Sequence, residues 1–169
     1  FSIRFKPEAL SGLLGIQGSE ILESYEDIET LLGKNFRDFC HRIREDRNVG
    51  QMIQRTESFL KNILLKQQQE ENYVQRATSL IRNAESNSIR EISERLSISQ
   101  RQLERKFSEV IGISPKRYLR LMRFNKVMQA LQQKQFLNLT SVAYYCGYFD
   151  QAHFIKDFKH ITGHSPGIY

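Results

Sequence analysis

The chain has 169 residues, 40% apolar and 26% charged, with no Trp, three Pro and a formal net charge of +6. Leu, Ile, Gln, Glu, Arg and Lys dominate, so an all-α soluble fold of one or two domains is expected. No apolar run in these residues reaches the roughly 18 to 20 that a bilayer crossing requires, so no membrane-spanning helix is expected among them.

No charged-then-apolar leader opens the chain, so a cytoplasmic location is expected. The opening on Phe1 instead of Met leads us to expect further sequence upstream. Cys40 and Cys146 fit no metal spacing and read as reduced thiols. The charge is unevenly spread: residues 1–69 hold 10 Lys/Arg and 10 Asp/Glu, whereas residues 70–169 hold 15 and 9. A basic excess confined to one segment suits a module that neutralises phosphates, though it also suits plain solubility.

In chain order, Phe1, Ile3 and Phe5 alternate with Ser2, Arg4 and Lys6, which predicts a short strand ended by Pro7. PEALSGLLGI then predicts a short helix stopped by glycine. Glu20 to Leu32 carries Ile21, Leu22, Tyr25, Ile28, Leu31 and Leu32 at helical spacing up to Gly33. Two amphipathic helices are expected over Asn35 to Asp46 and Val49 to about Lys66. The polar run KQQQEEN at 66–72 has no apolar anchor and marks the expected domain boundary, giving 1–68 and 69–169.

The strongest signal is an internal repeat. LERKFSEVIGISPKRY (103–118) and FIKDFKHITGHSPGIY (154–169) share an apolar residue, Phe, Gly, Ser-Pro and Tyr at a constant offset of 51. In the first copy Ser99 should cap a helix that turns Leu103, Phe107 and Val110 inward and ends at Gly112. In the second, Asp150 should cap a helix with Phe154, Phe158 and Ile161 inward, ending at Gly163. A short helix precedes each cap: SIREISERL, with Ile89, Ile92 and Leu96 inward, and LTSVAYYC, with Leu139, Val142 and Cys146 inward. Ser93 and Ala143 are small enough for a close helix crossing. Helix, tight turn, helix is a DNA-binding arrangement whose second helix enters the major groove.

At these residues the chain resembles the AraC family of bacterial transcription regulators. The resemblance covers about 72–169 and rests above all on the pattern G[YF]xDQxHFxxxFKxxxGxSPxxY, as it stands in Gly147 to Tyr169. Residues 1–68 look like the helical tail of the sensor region in some members. The resemblance implies two helix-turn-helix units, at about 88–112 and 138–163, joined by a connecting helix at about 115–133 with Leu119, Met122, Val127, Met128 and Leu131 inward. It also implies sequence-specific binding of double-stranded promoter DNA through two recognition helices in successive major grooves. RNA polymerase and a small-molecule effector acting through the N-terminal region are the further partners it allows.

The exposed face of the first recognition helix offers Gln100, Arg101, Glu104 and Arg105, and by the same resemblance Arg101, Glu104 and Arg105, and then Gln151, Ala152, Ile155 and Lys156, occupy the base-facing positions. Their chemistry fits: Arg grips guanine, Gln pairs with adenine, Glu accepts from cytosine, and Ala or Ile meets a thymine methyl. Lys106, Lys116, Arg117, Arg120, Arg123, Thr140, His153 and Lys159 are expected at the DNA backbone, although Arg120 and Arg123 are equally placed to pair with Glu91 or Glu94. Two positions depart from the family pattern: Lys156 is usually Arg, and Phe149 is usually small or polar. No phosphate loop, nucleophile elbow or carboxylate pair is seen, so no catalytic residue is expected. His160 and His164 have Gly163 between them and no third ligand, so neither a metal site nor a cofactor is expected. A helical protein-interaction module would not account for the repeat, and a basic membrane-surface helix would leave its apolar face uncommitted.

Overall fold

A computed structural model describes residues 2, 4–21, 28–66, 73–86, 88–133 and 138–166. Every regular element among them is a helix, in the order α1 (Pro7–Leu14), α2 (Gly18–Ile21), α3 (Ile28–Glu45), α4 (Val49–Lys66), α5 (Tyr73–Arg82), α6 (Ile89–Arg95), α7 (Gln100–Ile111), α8 (Pro115–Gln132), α9 (Leu139–Tyr145) and α10 (Gln151–Thr162). None is long and apolar enough to cross a membrane.

The expected N-terminal strand is not present among the described residues. Phe1 and Ile3 lie outside the described residues, and residues 2 and 4–6 belong to no regular element. A strand needs a neighbour to take its backbone hydrogen bonds, and the described residues offer none. Pro7 instead opens α1, with Lys6 extended at its N-cap and Gly15 left-handed (φ 69°) at its end. The segment expected at Glu20 to Leu32 is described only at its two ends, since residues 22–27 lie outside the described set. Gly33 interrupts α3 (φ 68°, ψ −158°) at the expected stop. Most of the polar run at 66–72 also lies outside the described residues. The helix α5 has no counterpart among the expected elements, although Val74, Ala77, Thr78 and Ile81 recur at helical spacing and are buried.

The described fold forms two compact units that cut across the expected line at 68/69. One comprises residues 1–78 with 99–114, the other residues 79–98 with 115–169. In the first, α1 and α2 pack on α7, while α4 packs on α1 and α3. Helix α7 joins this unit because the backbones of Gly18 and Gly112 meet. A Cβ on Gly112 would lie 2.5 Å from the Gly18 carbonyl oxygen, and one on Gly18 would collide with the Ile111 carbonyl carbon. Gly112 also holds φ 86°, a value that L side chains disfavour.

On α3 and α4, Phe39 and Phe59 stack 4.3 Å apart, with Phe36 tilted against both. They line a cavity of about 530 Å³ with Leu13, Arg42 and Asn62. Arg55 closes the turn before α4 by donating two hydrogen bonds, at 2.7 and 2.8 Å, to Asp46. These bonds hold the Asp46 carboxyl below its usual value.

In the second unit, α9 and α10 pack on α8 around Val127, Ala130, Val142, Ala143, Cys146, Tyr148, Phe154 and Phe158. The rings form a tilted chain, with Tyr148–Phe154, Phe154–Phe158 and Phe124–Phe158 centroids 5.4, 5.8 and 5.4 Å apart. Edge-to-face contacts of this kind add to the area term. Of the residues expected inward, Leu103, Phe107, Ile92, Leu96, Leu119 and Val127 are buried; Val110, Met122, Met128 and Leu131 are half-buried.

The Gly18–Gly112 contact yields a test. Gly18→Ala should lower the stability of the first unit by about 1–3 kcal/mol, the usual cost of overpacking. Gly12→Ala, where an added Cβ meets nothing within 4 Å, should not. Chemical denaturation of the two variants checks this.

Candidate nucleic-acid interface

The two helix-turn-helix segments share their backbone hydrogen bonds residue for residue. In the first, Leu96, Ser97 and Ile98 N–H donate to the carbonyls of Ile92, Glu94 and Ser93; in the second, Cys146, Gly147 and Tyr148 donate to Val142, Tyr144 and Ala143. All six distances lie between 3.0 and 3.1 Å, and the offset is 50. The left-handed residue of the turn is Ser97 (φ 56°) in one and Gly147 (φ 81°) in the other.

Four side-chain caps fix the helix starts. Ser88, Ser99, Asn138 and Asp150 accept from the N–H of Glu91, Gln102, Ser141 and His153 at 3.1, 3.2, 2.8 and 2.7 Å. Gly112 and Gly163 close α7 and α10, each donating at 2.9 Å to a carbonyl four residues back. Between turn and cap the offset grows from 50 to 51: one residue, Ile98, separates Ser97 from Ser99, but two, Tyr148 and Phe149, separate Gly147 from Asp150.

On α7, Gln100, Arg101, Glu104, Arg105 and Lys106 are all exposed. Arg105 donates to Glu109 at 2.9 Å, and Lys106 lies 3.6 Å from the same carboxylate. Gln100, Arg101 and Glu104 make no such bond among the described residues. On α10, Gln151, Ala152, Lys156 and Lys159 are exposed, and Ile155 shares its surface with the core. Thr140 on α9 donates to Gln151 Oε1 at 2.9 Å, which leaves the amide Nε2 and one lone pair of that oxygen for a base.

Several residues expected at the DNA backbone have internal partners. Arg120 Nε lies 3.3 Å from Asp157 Oδ1, and that carboxylate is buried on the inner side of α10. Arg120 therefore ties α8 to α10, and not to Glu91 or Glu94, which pair with Arg95 and Arg90. Arg123 sits over the Tyr148 ring, 5.8 Å from its centroid. His153 meets that ring edge-on and has Nε2 3.8 Å from Asp157. Burial first, and the Asp157 charge second, push the Tyr148 hydroxyl up to about 12, so it stays protonated at neutral pH. Lys116, Arg117 and Lys159 are exposed.

Two residues of this unit were not anticipated. Lys126 donates to the Tyr145 carbonyl at 2.8 Å, and its ammonium sits 4.3 Å from the Tyr145 ring centroid, so α8 neutralises the C-terminal end of α9. Asp157 was hidden in the sequence as a charge between the buried positions 154 and 158.

The class defined by these features is a helix-turn-helix domain. A family model described as a helix-turn-helix domain matches residues 92–169, and this part of the chain is similar to the AraC-type helix-turn-helix family. Among curated proteins, the HTH-type transcriptional activator RhaS of Escherichia coli O139:H28 (strain E24377A / ETEC) is 33% identical over 75 residues, covering 44% of this chain and 27% of that protein. RhaS of Escherichia coli O157:H7 is 32% identical over the same length and shares. The match therefore spans about a quarter of the relatives' length. No solved structure matches.

Two stability predictions follow from the geometry. Ser97→Gly should stabilise the chain and Gly147→Ala should destabilise it, each by about 1 kcal/mol, because only glycine adopts positive φ without cost; thermal melts compare them. Arg120→Ala should cost about 1–3 kcal/mol by leaving the Asp157 charge buried. Adding Asp157→Asn should restore part of that loss, which a double-mutant cycle measures.

Proposed function

We propose that this chain is the DNA-binding part of a transcription regulator, with α7 and α10 reading base edges in two successive major grooves of a promoter. The observation that carries this reading is the duplicated turn. Two segments share hydrogen bonds, caps and glycine stops, and each delivers a second helix whose outer face is polar and cationic. Base readout is assigned to Gln100, Arg101, Glu104 and Arg105 on α7, and to Gln151, Ala152, Ile155 and Lys156 on α10. Backbone positioning is assigned to Lys106, Lys116, Arg117, Arg123, Thr140, His153 and Lys159, with Arg120 chiefly a tie to Asp157. Because Lys156 is a point charge without the bidentate geometry of Arg, the second helix leans more on phosphate contact.

The functional division runs at 68/69, with 69–169 as the DNA-binding region and 1–68 as the coupling region. The packing of α1 and α2 on α7 supports coupling, since a shift of either would act directly on the first recognition helix. For a small-molecule effector, the cavity lined by Phe36, Phe39 and Phe59 is the candidate; Asp38, Arg42 and Asn62 in the same lining suit a ligand with both apolar and polar groups. Activation of transcription, with RNA polymerase as the partner, belongs to the same reading, in keeping with the name borne by the relatives.

Selection of bound duplexes from a random pool tests the proposal, repeated with Arg101→Ala and Gln151→Ala in separate proteins. The expected result is loss of base preference at two sites about one helical turn apart. If about five phosphates are neutralised, log affinity should fall with log salt at a slope of about −4 to −5. Uniform weakening in both variants, or no binding to duplex at low ionic strength, would overturn it.

A further inference from the structure

Phe149 is the one residue by which the second turn exceeds the first, and it is 86% exposed. Its neighbours show that the core has no use for it. Tyr148 before it is 4% exposed and Phe154 after it 0%, and both sit in the ring chain of the second unit. The turn is complete without it as well, since the Tyr148 N–H closes on Ala143 and Asp150 caps α10. A large apolar side chain is thus held in water immediately before the N-terminus of α10, two residues from Gln151.

On the reading above, on which this inference rests, the N-terminal end of a recognition helix meets base edges. In that groove one chemical group rewards an apolar side chain: the 5-methyl of thymine. Phosphate oxygens and the polar edges of guanine and cytosine give a phenyl ring nothing to bond. We propose that Phe149 is a specificity-determining residue that packs on the 5-methyl group of a thymine next to the base pair met by Gln151. Phe149 would then add an apolar contact to the readout of the second half-site by α10. The first turn, one residue shorter, has no equivalent.

The test uses the full chain and the best duplex from the selection, with each thymine of the α10 half-site replaced singly by deoxyuridine, which lacks only the methyl. Wild type, Phe149→Leu and Phe149→Ala are compared, with circular dichroism confirming equal folding. One replacement should weaken wild-type binding about three- to fivefold, the value of one buried methyl. The same replacement should matter less to the Leu variant and not at all to the Ala variant. The inference is overturned if wild type ignores every methyl, or if Phe149→Ala responds to the replacements as wild type does, as it would were the exposed ring a docking point for another protein. A chain that keeps its Arg101- and Gln151-dependent preferences in that case loses only this inference. A chain that binds no duplex loses both.

Discussion

A helix pair joined by a short turn keeps its crossing only if the chain reverses without stranding its backbone donors. Here that constraint is met by one left-handed residue, followed by an amide that reaches back five residues: Ile98 to Ser93, and Tyr148 to Ala143. In the second unit, α10 inherits its position on α9 from that bond. Asp150, two residues after Tyr148, starts α10, so the outward face of that helix is set by local backbone geometry; Ser99 caps α7 in the same way. Long-range packing then secures what the turn has aimed.

In the second unit that packing is polar as well as apolar. Phe158 and Phe154 bury their rings, but the orientation of α9 and α10 on α8 is also held by two cations of α8. Lys126 takes the last carbonyl of α9, and Arg120 takes the carboxylate of Asp157. These bonds fix rotation about the helix axis, which a smooth apolar contact alone leaves looser. A recognition face needs that fixed rotation more than it needs extra stability.

Much of this was legible in the sequence for a definite reason. Leu103 and Phe107, like Phe154 and Phe158, lie four apart between a capping side chain and a glycine, and such a segment has few conformations open to it. The parts that were not legible depend on partners distant in sequence. Arg120 reads as a surface cation until Asp157, 37 positions away, is seen to be buried against it. Helix α5 escaped notice because its inward stripe includes Ala77 and Thr78, too small or too polar to mark a core. The alternation at the start of the chain has the period of a strand, but periodicity cannot supply the neighbouring strand. Likewise, no local pattern announces that α7 packs with α1 and α2.

That last contact constrains how the chain can change over generations. Where Gly18 meets Gly112, main chain touches main chain, with no side chain between them that a second substitution could trim. A methyl gained on either side has to be absorbed by moving a helix, so the two positions have no small steps away from their present state. Helices α1 and α2 and the helix α7 that they pack on cannot drift independently: a lineage that alters one glycine must rebuild the seam from both sides.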